Sequence, residues 1–521
     1  MDLFRGILEN FSSYLTALGA AVTLPILITI FGMILGQKFP QALRAGVLIG
    51  IGFIGINLVL GLLGSTVGPA AQNLAKNLGV NLTILDVGWP ASAAIAFGST
   101  VGALIIPVCL LVNIILMWVG LTRTFDIDLW NYWHFALVGA LVAIVTGNFW
   151  LGIAAAAVHM TIVLALADLS APWIQKYFDF PDISFPHATS APYIVFAVPL
   201  NWLFDRIPGF RKLKADPETI ERRFGVFGES MILGLVLGLM IGLAGYGFDD
   251  PRADSISILV LAISLAAVML LLPRMVSILM EGLIPISDSA KTFVQKRFPG
   301  RKFYIGLDTA IAVGQPAVLA TSLILVPITV LVAIALAPAG NQVLPLIDLA
   351  TIPFIVAMMV PLFKGNIIRS VVGGAIVIGG GLFIATATAA QFTQIAKNSG
   401  FTATQGSREI SSLVDGANPL TGLFFGAANL GGWTVGVLAV LALAFAFWVS
   451  RIERRREVVR VEASAADQQE SALRADQATD RGARHATVPT TELGSSQVTT
   501  DQVTDQATDQ MPEQTSGQQR D

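Results

Sequence analysis

The chain has 521 residues, 54% of them hydrophobic and 13% charged, with a formal net charge of -3 and a mean hydropathy of +0.71. Soluble domains carry about 25% charged residues, so the composition excludes an ordinary soluble domain, and nothing in the charge balance suggests a nucleic-acid partner. The single cysteine, Cys109, lies in an apolar run and excludes an intrachain disulfide or a thiolate metal site; a reactive thiol needs positive neighbours and access, so it reads as a packing residue.

Apolar runs of the roughly 20 residues needed to cross a bilayer recur along the chain. The first covers 12–36, interrupted by Pro25, and the second 42–64. The mixed stretch 69–90, with Leu74, Leu78, Leu82 and Leu85, suits an interfacial or re-entrant helix. A third span covers 91–121. Apolar sequence resumes over 134–166 and is broken at Gly147-Asn148; this is two spans, or one span with a re-entrant piece. A half-length apolar stretch ends near Phe204, and 205–223 is aqueous. Further spans are expected over 226–246, 255–286, 318–337, 344–362, 367–390 and 421–449. The expected fold is an all-α polytopic membrane protein with about ten or eleven transmembrane helices and two re-entrant regions.

Short loops rich in Lys and Arg stay in the cytoplasm. That places 205–223, 291–302 and the exit 451–456 there, and with an odd number of spans the N-terminus is outside. Thr23-Leu24-Pro25 and Thr351-Ile352-Pro353 each open a helix that reaches a basic turn and then a Gly-rich helix. The hairpins 23–61 and 351–390 therefore read as a weak internal repeat, with chance similarity of two apolar hairpins as the rival. Residues 1–456 form the membrane domain. From 457 to 521 Ala, Asp, Gln, Thr and Ser dominate, a composition that cannot bury enough apolar area to fold, and a disordered cytosolic tail is expected.

Two stretches put ionisable residues among Gly, Pro and small polar residues inside apolar sequence: Phe185-Pro186-His187-Ala188-Thr189-Ser190-Ala191, and Gly306-Leu307-Asp308-Thr309-Ala310 leading to Gly314-Gln315-Pro316. A bilayer interior tolerates such residues where they face protein or a cavity, and broken helices there build substrate sites. His187 suits a re-entrant tip. Asp308 suits a helix N-cap, a role compatible with binding a substrate hydroxyl. Gln315 offers a donor and acceptors for a hydroxylated ligand. His134 sits where a polar segment enters an apolar one, either in an interfacial aromatic belt or at a helix end aimed at a cavity, with Asn131 one turn away. Asp86, in Leu85-Asp86-Val87-Gly88-Trp89-Pro90, is a weaker case of the same pattern. His159, in a continuous helical run, reads as a satisfied packing histidine. Glu229 and Glu281 flank apolar runs and either bind, pair with a base or mark an interface. No Walker loop, nucleophile elbow or metal-ligand spacing is present, and no cofactor or metal is expected. Gly-Ile-Gly-Phe-Ile-Gly at 50–55 fits a dinucleotide pattern but lies in a membrane helix, where it serves packing.

Several motifs together resemble one family. They are residues 50–59, Leu-Asp-Val-Gly-Trp-Pro (85–90), Trp-Asn-Tyr-Trp-His (130–134), Pro-His-Ala-Thr-Ser-Ala (186–191), Arg-Phe-Gly-Val-Phe-Gly-Glu (223–229), Gly-Leu-Asp (306–308) and Gly-Asn-Gln-Val-Leu-Pro (340–345). In this order, over about residues 10–450, they are similar to the galactitol-type enzyme IIC of the bacterial phosphoenolpyruvate-dependent sugar phosphotransferase system. The resemblance implies a multi-pass inner-membrane permease that carries galactitol or a related polyol inward while a partner enzyme IIB, served by IIA, phosphorylates it. The phosphoryl-bearing cysteine then belongs to IIB, not to Cys109. Likeness to the related ascorbate permeases implies a homodimer in which a mobile core moves against a scaffold in elevator fashion. By that analogy the scaffold includes 23–61 and 351–390, and the core brings His134, His187 and Asp308 around the substrate, with His134 or His187 as the acceptor of the hydroxyl proton. The chain departs from the family at Ala188, where Gly is frequent, and at Gln315-Pro316, where a His-Thr pair is frequent. The rival readings are a proton-coupled secondary transporter without phosphorylation and a non-transporting receptor.

Overall fold

A computed structural model of the chain describes residues 20–77, 79, 82–208, 210, 229–247, 250–297, 303–313, 315–401 and 409–456. The expected tail, 457–521, and most of the basic stretch 205–223 lie outside the described residues. Seven described helices are long and apolar enough to cross a membrane, or eight if the pair Gly88–Gly98 and Gly102–Trp118, bent by 88°, is one span. Any further crossing has to come from four shorter apolar helices, Pro25–Ile34, Ala191–Phe204, Gly234–Tyr246 and Asp348–Leu362, or from outside the described residues. The apolar stretch 134–166 resolves into two long helices. Gly147 turns the chain with a positive φ of 65°, and Asn148 caps the second helix by accepting the N–H groups of Trp150 and Leu151.

The first half of the chain runs α1 (Ala20–Ile34), α2 (Phe39–Asn77), β1 (Ile84–Asp86), α3 (Gly88–Gly98), α4 (Gly102–Trp118), β2 (Thr124–Asp126), α5 (Tyr132–Thr146), α6 (Phe149–Phe178), β3 (Ile183–Ser184) and α7 (Ile194–Phe204). The second runs α8 (Ser230–Tyr246), α9 (Pro251–Arg297), β4 (Tyr304–Gly306), α10 (Ala310–Val313), α11 (Pro316–Leu336), β5 (Val343–Leu344), α12 (Ile352–Ala357) with α13 (Met359–Leu362), α14 (Ile367–Asn398), β6 (Glu409–Ser411) and α15 (Pro419–Leu430). A last helix, α16, spans Trp433–Arg456.

Two small parallel sheets tie the halves together. One has the order β5-β1-β6 and the other β2-β4-β3. Exchanging the halves, β1 for β4, β2 for β5 and β3 for β6, converts one order into the other. Each half thus lends its first strand as the centre of one sheet and its other two strands as the edges of the other. This correspondence pairs α1-α2 with α8-α9, and so differs from the one drawn between 23–61 and 351–390.

Helix packing follows the same division. α1, α2, α8 and α9 pack chiefly on one another. Gly238 sits where a Cβ would lie 2.5 Å from the Ala262 Cα, and at Gly234, one turn before, it would lie 2.9 Å from the Ala266 Cα. Small residues at this spacing let α8 and α9 meet backbone to backbone, the usual solution where lipid removes the hydrophobic drive for helix association. The remaining helices form a second body around the two sheets. α14 packs against α11, β6, α5 and α15, so the hairpin 351–390 lies with the sheets and not with 23–61. That corrects the expected scaffold. The physical reason is local: Gly374 seats the Leu325 side chain of α11, and Gly381 seats Ala417 ahead of α15.

Candidate functional site

Parallel strands end together, so the loops that leave their C-terminal ends converge. At β2-β4-β3, Asp126 and Ser184 both stand opposite Gly306. A Cβ at Gly306 would lie 2.7 Å from Pro186 Cγ and 2.8 Å from Asp126 Cα, so only glycine lets the three exits close up. Buried polar side chains fix the sheet from below. Asn113 Nδ2 donates to the Thr124 carbonyl at 2.9 Å while its Oδ1 accepts the Asp126 N–H at 2.9 Å. Thr124 Oγ1 donates to Asp168 at 2.7 Å and lies 2.8 Å from Ser184 Oγ.

The three exits carry Asp128 and Trp130 after β2, Asp308 and Thr309 after β4, and His187 after β3. The His187 carbonyl accepts the N–H groups of Ser190 and Ala191 at 3.0 and 2.8 Å, which curls the 187–191 segment into a tight turn. Its ring is almost fully buried. Nδ1 faces Thr309 Oγ1 at 2.9 Å and Ser190 Oγ at 3.1 Å, and Nε2 faces Asp308 Oδ1 at 3.5 Å. The Asp308 carboxylate also accepts the Ala310 N–H at 2.9 Å. Asp308, two residues before α10, therefore holds the first N–H of that helix and partners His187 at once.

His134 opens the first turn of α5 and is completely buried. Its Nδ1 lies 2.7 Å from Asp415 Oδ1 and its Nε2 3.1 Å from Thr189 Oγ1. A carboxylate only accepts, so Nδ1 carries the proton and the Thr189 hydroxyl donates to Nε2. Both ring nitrogens are thus occupied. The two imidazoles meet edge to face with centroids 5.4 Å apart. Asp415 comes from the loop after β6, and Asn418 of the same loop donates to the Ala188 carbonyl at 2.8 Å. The exits of the two sheets are therefore interlocked at this point.

Beside the turn, a cavity of about 220 Å³ is lined by Asp128, Asp308, Trp130, Ile127, Leu129 and Leu307 from the loops, Ile311 of α10, and Met280, Leu283 and Ile284 of α9. Its wall is mostly apolar, with two carboxyl groups facing in. The apolar character comes in part from α9 of the other helix group, which closes one side with aliphatic side chains. Burial, then the nearby Asp308 charge, raises the Asp128 carboxyl to about 8. Burial also raises Asp126 well above the usual carboxylate range, with Asp128 adding to it. Burial lowers His187 to about 4 against the opposing pull of Asp308, so its imidazole is neutral near pH 7.

The other candidates are dispersed. Asn131 donates to Asp128 Oδ2 at 2.9 Å and so stands one residue removed from the cavity. Gln315 is the N-cap residue of α11, with no side-chain cap bond. Asp86 is fully buried, and its carboxylate accepts the N–H groups of Gly88, Leu346, Ile347 and Asp348 at 2.9–3.0 Å. It closes the exits of β5-β1-β6, where the equivalent exits of the other sheet stay open to the cavity. His159 packs between the Phe135 and Phe424 rings, as expected of a packing histidine, and neither ring nitrogen has a protein partner among the described residues. Glu229 and Glu281 are exposed, and Cys109 is buried. Among the described residues no cluster of three His, Cys, Asp or Glu is placed to hold a metal ion. The sequence reading missed Asp415, although Val414-Asp415-Gly416-Ala417-Asn418-Pro419 shows the same pattern of one acid among Gly, Pro and small residues that singled out the other two stretches.

Residues 14–406 match the family described as the sugar-specific permease component of the PTS system, EIIC-GAT. The chain is 40% identical over 439 residues to the PTS system galactitol-specific EIIC component of Escherichia coli strain K12, which covers 84% of this chain and 95% of that protein. The namesake from Escherichia coli O157:H7 is equally similar, with the same coverage. A putative permease IIC component of strain K12 is 36% identical over 431 residues, covering 82% of this chain and 94% of that protein.

Proposed function

Because this chain belongs to the sugar-specific permease components of the phosphotransferase system, in the galactitol-type EIIC family, we propose that galactitol or a closely related polyol is its substrate. The chain is a multi-pass inner-membrane permease subunit. In this reading the polyol enters the cavity beside His187 and Asp308, and cytosolic IIB, recharged by IIA, phosphorylates it there. The observation that carries the reading is the His187–Asp308 pair, 3.5 Å apart, of which Asp308 lines the cavity and His187 stands behind it. A neutral polyol presents only hydroxyl groups. A carboxylate and a neutral imidazole side by side accept two hydroxyl protons, while the aliphatic and Trp130 walls cover the C–H faces.

Transport by an elevator movement of the sheet-bearing body against α1, α2, α8 and α9 belongs to the same proposal. It is supported by their separate packing and by a cavity wall drawn from both groups. A homodimer with α1, α2, α8 and α9 as its fixed part completes it. Arg451, Arg454, Arg455 and Arg456 at the end of α16 support a cytoplasmic C-terminus.

The test is uptake of labelled galactitol into vesicles with and without IIA and IIB, with free and phosphorylated product separated. Phosphorylated galactitol that appears only with the partners is the expected result. A second reading, proton-coupled transport without phosphorylation, is favoured by the Asp128 carboxyl held to about 8 beside Asp308. Uptake of free galactitol that needs a proton gradient but no partners would select it and sink the first.

A further inference from the structure

The hydroxyl groups behind His187 fix which of its nitrogens carries the proton. Ser190 Oγ lies 2.6 Å from the Phe354 carbonyl, which can only accept, so the single Ser190 hydroxyl proton is committed there. Ser190 Oγ therefore acts as acceptor towards its other neighbours. Thr309 Oγ1 is 2.9 Å from Ser190 Oγ and 2.9 Å from His187 Nδ1. If Nδ1 were bare, the one Thr309 proton would satisfy either the ring or Ser190. The remaining contacts would then set lone pair against lone pair at about 3 Å in a buried place, a costly arrangement. If Nδ1 carries the proton, every contact on the Nδ1 side of the ring has a donor: Nδ1–H to Thr309, Thr309 to Ser190, and Ser190 to the Phe354 carbonyl; the Nε2–Asp308 separation of 3.5 Å is longer than an ordinary hydrogen bond and is left for a substrate hydroxyl to donate into. The Ser190 oxygen at 3.1 Å then lies beside Nδ1–H as a second acceptor.

We propose that Thr309 and Ser190 are positioning residues that hold His187 in its Nδ1–H form, so that the Nε2 lone pair faces Asp308 as the acceptor for the proton of the substrate hydroxyl. The inference rests on the phosphotransferase reading above. It also separates the two histidines, because His134 already spends both nitrogens on Asp415 and Thr189. The device joins the two halves of the chain: Ser190 leaves β3, Thr309 leaves β4, and Phe354 lies in α12. In the transfer step the hydroxyl oxygen bonds to the phosphorus of the phosphocysteine carried by IIB. The phosphorus–sulfur bond breaks and leaves its electron pair on sulfur as a thiolate. The hydroxyl proton passes to His187 Nε2. Asp308 accepts a neighbouring substrate hydroxyl and then faces the imidazolium.

The experiment uses the full chain in lipid with IIA, IIB and labelled galactitol, and measures binding and phosphorylation separately for wild type, Thr309→Val, Thr309→Ser and Ser190→Ala. In parallel, ¹⁵N-histidine spectra report the His187 tautomer, with His187→Gln identifying its signals. The expected result is a wild-type His187 protonated at Nδ1. Thr309→Val then phosphorylates at least about tenfold more slowly, a part of the roughly 10²–10⁴-fold that a positioned acid–base group supplies, while still binding galactitol, and Thr309→Ser recovers most of the rate. A wild-type His187 protonated at Nε2 overturns the proposal. So does a serine variant as impaired as the valine, or a parallel loss of binding and rate. If Thr309→Val fails to fold, the wild-type spectrum and Ser190→Ala decide. If the wild type binds but phosphorylates nothing, the functional reading fails, and the tautomer still judges the relay on its own.

Discussion

One oxygen of Asp308 serves two partners: Oδ1 accepts the Ala310 N–H at 2.9 Å and lies 3.5 Å from His187 Nε2. The first contact fixes the carboxyl on the β4 exit, and the second aims it at the ring on the β3 exit. The carboxyl also lines the cavity, so its backbone contact and its proposed substrate contact are separable by substitution.

Asp308→Asn keeps a side-chain oxygen that accepts the Ala310 N–H but removes the charge and one of the acceptor sites. The expected outcome is a folded protein whose galactitol affinity falls by about 1.5–3 kcal/mol, the usual value of a hydrogen bond to a charged group. Equilibrium binding alongside thermal melting checks this. Unchanged affinity with a lowered melting temperature would make Asp308 an anchor for the Ala310 N–H and nothing more.

The sequence carried the membrane class and two of the three strand exits that form the site, because Pro, Gly and an ionisable residue in apolar sequence are costly unless a cavity or a polar partner repays them. His187 and Asp308 were legible for that reason, and the structure brings them together. Asp86 bears the same local signature, yet its partners are four backbone N–H groups. Nothing in a linear pattern distinguishes a carboxylate that faces hydroxyls from one that faces amides of a segment 260 residues away. The strands were missed because each has only two or three residues, too few for an alternating pattern. The packing of 351–390 with the sheets, and not with 23–61, depends on which neighbours its glycines admit, and that is a tertiary property.

His134 and Asp415 form a buried pair 2.7 Å apart, and removing either leaves the other without its partner. His134→Gln and Asp415→Asn are each expected to lower stability and galactitol affinity. The double variant should do little more harm than the worse single one, with a coupling of about 0.5–3 kcal/mol. Additive losses in the melting and binding cycles would show that the pair is not an energetic unit.

The Asp128 carboxyl gives the fold a pH dependence of known sign. Its value in the folded protein, about 8, lies above the ordinary 3.8, so the folded state holds a proton that the unfolded chain releases. This contribution is complete below the unfolded value and is lost as the pH rises through about 8. The melting temperature of the wild type should therefore fall across that window, and Asp128→Asn should flatten the fall. Since Asp308 is the second cause of the shift, Asp308→Asn should move the fall to lower pH. A wild-type curve that rises over the same range would contradict the assignment.

Asp86→Ala separates architecture from chemistry. It strips the acceptor from four backbone N–H groups at the closed end of β5-β1-β6. Leaving buried donors unpaired costs about 1–3 kcal/mol each. The yield of folded protein should collapse, and any fraction that survives purification should bind galactitol with wild-type affinity. Normal yield with abolished binding would move Asp86 into the substrate site.

Gly306 tests whether the strand exits need their close approach. Ala at this position drives a methyl group into Pro186, Asp126 and the Phe125 carbonyl, two of them backbone contacts that cannot swing aside. Overpacking of this kind costs about 1–3 kcal/mol, and here it also pushes the β3 exit, with His187, away from Asp308. Gly306→Ala should therefore lose galactitol binding out of proportion to its loss of stability. Gly380→Ala is the control, because a Cβ there meets nothing within 4 Å and Ala favours the helix by up to about 1 kcal/mol. If both variants bind alike, the spacing of the exits does not set the site. If only Gly306→Ala fails, the His187–Asp308 geometry depends on a residue that touches neither substrate nor ring.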